Sequence, residues 1–281
     1  MTARPHRRSG FAFIVVLSLA ALLGSFVAAA LRSSLGAARD AAYFADVSAA
    51  DAIGRAAPQL LGAYAEESPA RRRAGAFEAR FAHARLNVSY VNAAARVDVN
   101  AAPVPLLLAL LVAAGASQAD ADVYVARLTG LRGKAAPTSA DGQAAAPLLR
   151  HPDELAAALG LGPDLAARLG PLLTTASGAG VVDPTLADRL VVAALFGGSQ
   201  DRLDDFLRQR DNGFPSVQGA LALIPAEGRA VAAFDPAPTL LGEAVVTMAS
   251  GLRRRYEFVL TPPAAEEGAR ETRVHAFRPV F

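Results

Sequence analysis

No cysteine occurs in the 281 residues, which excludes disulfides, thiolate chemistry and cysteine-held metal sites. A cysteine-free chain is compatible with an oxidising compartment. Aromatic residues are few, at 6%, while hydrophobic residues reach 53%. Alanine and leucine therefore supply most of the apolar content, which favours helix over sheet. Neither sign of charge dominates: Lys+Arg is 28 against Asp+Glu 26. The pI is about 9.3, but the basic residues do not gather on one element, so there is no strong nucleic-acid footprint. Histidine is scarce. His6 lies in the leading segment, His83 and His275 in predicted strands, and His151 at a helix start. HExxH, GxSxG and the dinucleotide glycine fingerprint are all missing. Gly130–Lys134 (GLRGK) is too short in its glycine spacing for a phosphate loop, and Ala135 stands where a metal-binding hydroxyl is needed. These absences argue against an enzyme.

What the chain does have is a long apolar run near its start. Phe11–Leu31 is 21 residues without a charge. At 1.5 Å per residue it spans roughly 31 Å, one hydrocarbon core. Arg4, His6, Arg7 and Arg8 precede it, which places the start in the cytoplasm and the bulk of the chain outside. Three readings are open. Ala28-Ala29-Ala30 would serve as a signal-peptidase site, although the run exceeds the usual apolar region of a cleaved signal. An uncut anchor is the second. The third rests on Gly10-Phe11. A short basic leader ending in glycine, followed at once by phenylalanine and an apolar helix, resembles a type IV prepilin leader. In that family a membrane peptidase cuts after the glycine and methylates the new terminal phenylalanine. Most members carry glutamate five residues into the mature chain. Here that position is Val15.

Helical periodicity continues past the run. Leu35, Ala38, Ala42, Ala45, Ala49 and Ala52 recur at three- and four-residue steps. Pro58 is the first serious breaker, so Phe11–Ala57 reads either as a single helix roughly 70 Å long or as a membrane helix with a separate soluble helix after it, and periodicity leaves both open. Glu66–Gly75 reads as a loop. The period then changes to two: Leu86, Val88 and Tyr90 alternate with Asn87 and Ser89, Asn92–Ala95 can turn, and Arg96–Val99 can return. Near the end, Arg254, Tyr256, Phe258 and Leu260 alternate again, with Val274–Arg278 as a partner strand. These strand regions bracket a helical middle.

Within that middle, Asn100 reads as an N-cap ahead of Pro103 and a leucine-rich helix that Gly115 can stop. Gly130–Pro147 reads as a small-residue loop. His151–Leu173 reads as helix, Gly160-Leu161-Gly162 turn, helix, a helix–hairpin–helix pattern. DNA-binding versions meet a phosphate with the N–H groups opening the second helix. Here Asp153, Glu154 and Asp164 surround the turn, with Arg150 and Arg168 to offset them, so close packing of two helices explains the glycines better. Asp183–Phe196, Gln200–Arg210 and Val217–Ile224 are further predicted helices. Asp201, Asp204 and Asp205 share a first turn, where carboxylates suit the helix dipole, and are otherwise a candidate calcium cluster.

Taken together, the RRSG-FAFIVVLSLAALL start, ARVDVNAAPVPLLLALLVAAG, the Gly160–Gly162 stretch, GFPSVQGALALIP and the strand-forming end resemble the type II secretion protein K family of minor pseudopilins. The most diagnostic part is Asp98, Asn100, Ala102 and Pro103, a strand end in Asp-x-Asn followed by Ala-Pro and a leucine-rich helix. That family also typically lacks the glutamate. The resemblance implies an α+β fold: a pilin-like long N-terminal helix, a small antiparallel sheet, and an inserted all-helical domain of SAM-like, helix–hairpin–helix-like type. Its expected parts are a leader (1–10), a transmembrane helix (11–31), a periplasmic helix extension (32–65), a sheet from 77–100 and 250–281, and an insert over 101–249. It further implies inner-membrane anchoring and a place at the tip of a periplasmic pseudopilus. The expected partners are the minor pseudopilins I and J and the prepilin peptidase. No cofactor is expected. Some relatives bind calcium in the helical domain, but the loop to Pro147 offers only Asp141, so no ligands are assigned. The competing expectation is a membrane-anchored helix–hairpin–helix protein that captures DNA.

Overall fold

The computed structural model describes residues 9–135, 149–151, 153–234, 237–263 and 271–280. The leader arginines, and most of the loop expected up to Pro147, lie outside the described residues. Helix α1 runs from Ser9 to Glu66, 58 residues, about 87 Å end to end. Among the described residues its apolar first half is unburied, and its last third lies on a sheet.

Pro58 does not end this helix, contrary to expectation. A proline loses one backbone bond and crowds the carbonyl four residues earlier. Here that residue is Gly54, and Pro58 itself lies in a buried stripe with Ala50, Gly54, Ala57, Leu61 and Ala65. Burial of that stripe against the sheet favours the helical path across the proline. Tertiary packing thus outweighs the local preference.

The sheet has five antiparallel strands in the order β1-β2-β5-β6-β7. They are β1 (Ala74–Phe81), β2 (Ala84–Asn92), β5 (Leu240–Met248), β6 (Arg253–Thr261) and β7 (Arg273–Val280). The expected sheet boundary at 250 missed β5, which is the central strand. Leu240, Gly242, Ala244, Val246 and Met248 alternate as buried residues along it. Gly242 and Ala244 are too small to mark a strand in the sequence. Gly242 is small because the Phe258 ring on β6 occupies the space its Cβ would fill.

The remaining elements form the insert. They are β3 (Val97–Asp98), α2 (Val104–Ala113), α3 (Gln118–Ala135), α4 (Asp153–Leu159), α5 (Pro163–Leu169), β4 (Leu173–Thr174), α6 (Arg189–Leu195), α7 (Gln200–Asn212), α8 (Val217–Leu223) and α9 (Ala226–Arg229). The expected return strand over Arg96–Val99 does not pair with β2. It pairs parallel with β4, inside the insert. Helix α3 also continues over Gly130 and Gly133 to Ala135, where a loop was expected.

Two cores result. One joins α1 to the sheet through Leu61, Leu86, Val246, Tyr256 and Leu260. The other fills the insert around Leu110, Leu159, Leu169, Val191 and Phe206.

Candidate functional site

The most exposed apolar surface is the first half of α1. Phe11 is 75% exposed, Phe26 74% and Val15 49%. Among the described residues this is the helix long and apolar enough to cross a membrane. Ser25 Oγ donates to Leu22 O at 2.8 Å and Ser34 Oγ to Leu31 O at 3.0 Å. These two hydroxyls are thus satisfied within the helix, which suits an apolar surrounding. Gly10 and Phe11 sit in the first turns of α1, and Val15 lies about one turn further on.

A polar clamp adds to the core that joins the body to this helix. Tyr256 is buried under α1, and its hydroxyl donates to Asp51 Oδ1 at 2.6 Å. Arg254 Nε lies 3.2 Å from the same carboxylate oxygen. Burial, followed by the hydrogen bond to Asp51 and its charge, pushes the Tyr256 phenol up to about 12. The ring lies so close to α1 that a Cβ on Gly54 would stand 2.5 Å from it. Only glycine permits that approach. Asp51 and Tyr256 are 205 positions apart, and no local signal in the sequence pairs them.

A second joint ties the insert to the body. Asp183 is fully buried, and its Oδ1 accepts from Thr185 N at 2.9 Å and Thr185 Oγ1 at 2.6 Å. Arg73, between α1 and β1, pairs with its Oδ2 at 3.3 Å and also donates to Thr185 Oγ1. Asn92 donates to Arg72 O and Ala237 O, both at 2.8 Å, and accepts from Ala94 N. Arg278 on β7 reaches Asp153 on α4 at 3.3 Å. Asp183 had been expected to open a helix. Asp188 caps α6 instead, and Asp183 holds a turn through Thr185. The Asp-Pro-Thr string was the available turn signal.

Asp98, Asn100, Ala102 and Pro103 come together at the base of the insert. Asp98 is 1% exposed. Its carboxylate accepts from Asn100 N at 2.8 Å, Gly178 N at 2.8 Å and Ser177 Oγ at 3.1 Å. Asn100 does not cap α2, as its position suggested. It makes a reciprocal pair with Leu149: Nδ2 donates to Leu149 O at 3.0 Å, and Oδ1 accepts from Leu149 N at 3.1 Å. The N-cap of α2 is Pro103, with no side-chain bond. Arg132 on α3 donates to Val99 O and Ala102 O at 2.6 and 2.7 Å. Burial lowers its pKa, and the nearby Asp98 charge acts against that shift. The diagnostic segment is therefore a buried polar knot that fixes where the insert begins.

The Gly160–Gly162 turn connects α4 and α5 and brings Leu155, Leu159, Leu165 and Leu169 into the insert core. Gly160 takes φ +70°. Beside it Arg127 is committed to Leu159 O. Asp204 is held by Arg189 and Gln200, and Asp205 by Arg208 and Gln209. No group of three His, Asp or Glu side chains suited to a metal occurs among the described residues. His83 sits in the turn between β1 and β2, His151 beside Asp153, and His275 on β7 next to Thr261.

No family model matches the chain, and no curated protein matches it. A solved structure does match in fold. It is a chain of the GspK–GspI–GspJ complex from the type 2 secretion system of enterotoxigenic Escherichia coli. The TM-score is 0.53 at 16% identity, over 74% of this chain and 84% of that one.

Proposed function

We propose that this chain is a minor pseudopilin, a structural subunit rather than an enzyme. In this reading α1 anchors it in the inner membrane, and it sits at the tip of a type II secretion pseudopilus. There it supports pseudopilus assembly and protein export across the outer membrane. One observation carries the reading: a single long helix, bare and apolar in its first half, bears a small sheet with a helical insert between its strands. The fold likeness to a chain of the secretion complex supports it. The partners proposed are the minor pseudopilins I and J, together with the peptidase that processes the leader. No step of this reading needs calcium or another cofactor.

The leader is proposed to be cut after Gly10 and Phe11 methylated, with the basic leader cytoplasmic and the body periplasmic. Val15 fits the tip. Inside a fibre, a buried carboxylate at this position pairs with the terminal ammonium of the subunit ahead. A tip subunit has nothing ahead of it, and an unpaired acid in lipid is costly. Mass spectrometry of the mature N-terminus tests the reading. Methylated Phe11 is the expected result. A mature chain starting at Leu31 or at Met1 overturns it.

A further inference from the structure

We propose that the outer edge of β1 is an open docking edge, which takes an extended segment of a different protein chain as a sixth strand of the sheet. This goes beyond the pseudopilus reading and does not depend on it.

The two edges of the sheet are built differently. At one edge, β7 contains Pro279 and a register shift opposite Val259 and Leu260, and it is tied to the insert through Arg278. Proline, irregular register and cover are the usual ways of blunting an edge. At the other edge, β1 is eight residues long, without proline or bulge, and paired in unbroken register with β2. Its hairpin closes with Phe81 opposite Ala84 across a two-residue turn. That closing pair exchanges both bonds, and the phase alternates from there. Gly75, Phe77, Ala79 and Phe81 therefore bond to β2. Ala74, Ala76, Glu78 and Arg80 aim their N–H and C=O outward, and no strand lies on that side among the described residues.

Side chains beside the edge specify the occupant. On the α1 side there is an apolar shelf. Tyr64 stacks on Phe77 with centroids 4.9 Å apart, Leu60 lies one turn before Tyr64 and is 37% exposed, and Phe81 is 42% exposed. An incoming strand with an apolar residue at every second position would cover it. On the opposite face, Arg80 stands directly across from Arg85. Both draw on one carboxylate, Glu78, at 2.7 and 3.6 Å. Like charges placed opposite each other are unfavourable, so an acidic residue beside Arg80 on the incoming strand completes the set.

A second copy of this chain does not fit. Antiparallel pairing of two identical edges has its two-fold axis normal to the sheet. That axis reverses every in-plane direction, including that of α1 lying on the sheet, so the two apolar helices would point opposite ways. Parallel pairing through the same edge turns the second copy over, so its Glu78 and Arg80 would lie against the apolar shelf of the first. A different chain avoids both conflicts.

The test places a photo-crosslinking residue at Ala74, Ala76 or Glu78, one at a time, in the full chain in the membranes of its own cell. Cross-linked peptides are mapped. The expected result is a single segment of one other protein, advancing two residues for each step along β1. Glu78→Pro removes one outward N–H and should cut cross-linking at Ala76 at least tenfold. Arg80→Glu leaves the backbone intact and should cut it several-fold with an unchanged far-UV CD spectrum. The proposal is overturned by scattered sites, by cross-links only to a second copy, by no cross-links, or by yields unchanged in Arg80→Glu. A mapped partner that is not another minor pseudopilin would count against the pseudopilus reading and leave strand addition standing. Methylated Phe11 with a silent β1 edge would do the reverse.

Discussion

Gly54→Ala should destabilise the protein, although alanine is the better helix former. A Cβ at this position would stand 2.5, 2.6 and 2.7 Å from three atoms of the Tyr256 ring. Normal carbon contacts lie at about 3.5–4.0 Å, so the ring must retreat by about 1 Å. It has little room. Tyr256 is 1% exposed, stacks on Phe277 at 5.5 Å, and is pinned by its hydroxyl to Asp51. Overpacking of this kind costs about 1–3 kcal/mol. Stretching a hydrogen bond to a carboxylate adds up to about 1.5–3 kcal/mol. Replacing glycine in a helix recovers about 1 kcal/mol. The net expectation is a loss of up to about 5 kcal/mol. Gly36→Ala is the control. It lies on the same helix with nothing within 4 Å of its added methyl, so it should stabilise by about 0.5–1 kcal/mol. Urea unfolding of both variants in one detergent measures the difference. Amide exchange along β6 gives the local reading, because the two cores need not open together. A second substitution, Tyr256→Leu, should restore part of the Gly54→Ala loss, with a coupling above about 0.5 kcal/mol. A Gly54→Ala midpoint at or above that of the parent protein would refute the close-approach argument.

Three further outcomes are expected. Tyr256 has its phenol raised from 10.0 to about 12, so the unfolded chain releases this proton first as pH rises. Its contribution to stability is full below pH 10 and is lost between about pH 10 and 12; Tyr256→Phe should flatten that part of an alkaline unfolding curve. Asp98→Ala strands the N–H groups of Asn100 and Gly178 and the Ser177 hydroxyl in a buried place, and should cost about 2–4 kcal/mol. Exchange should accelerate in α2 and α4 and leave β5 and β6 unchanged, since the sheet has its own core. Val15→Glu should reduce secretion and move the subunit away from the tip, as an unpaired acid in the membrane costs about 2.5–3.5 kcal/mol. Secretion and tip placement equal to the parent protein would defeat the explanation for Val15.

The apolar run, the helical periodicity past it and the two-residue alternation of β2 and β6 were all legible, because each is a local pattern repeated over several residues. The Gly160 turn was legible for the same reason. Other features were not. Gly242 and Ala244 hid the central strand, since neither marks a strand by itself and Gly242 leaves room for the Phe258 ring on β6. Asn100 carries the signature of a helix cap, yet it bonds to Leu149, 49 positions away. Pro58 carries the signature of a helix end, and packing of its neighbours on the sheet overrides it.

By itself the sequence determined that this chain has one stretch able to cross a membrane, no cysteine or catalytic motif, and a helical middle set between strands. Those properties depend on composition and short-range order alone. Only the tertiary structure decided that α1 continues to Glu66, that Tyr256 and Asp51 clamp the body to it, and that β1 and β7 form the two edges of the sheet among the described residues. Each of these depends on contacts between residues far apart in the chain, where the burial of one surface sets what another must be.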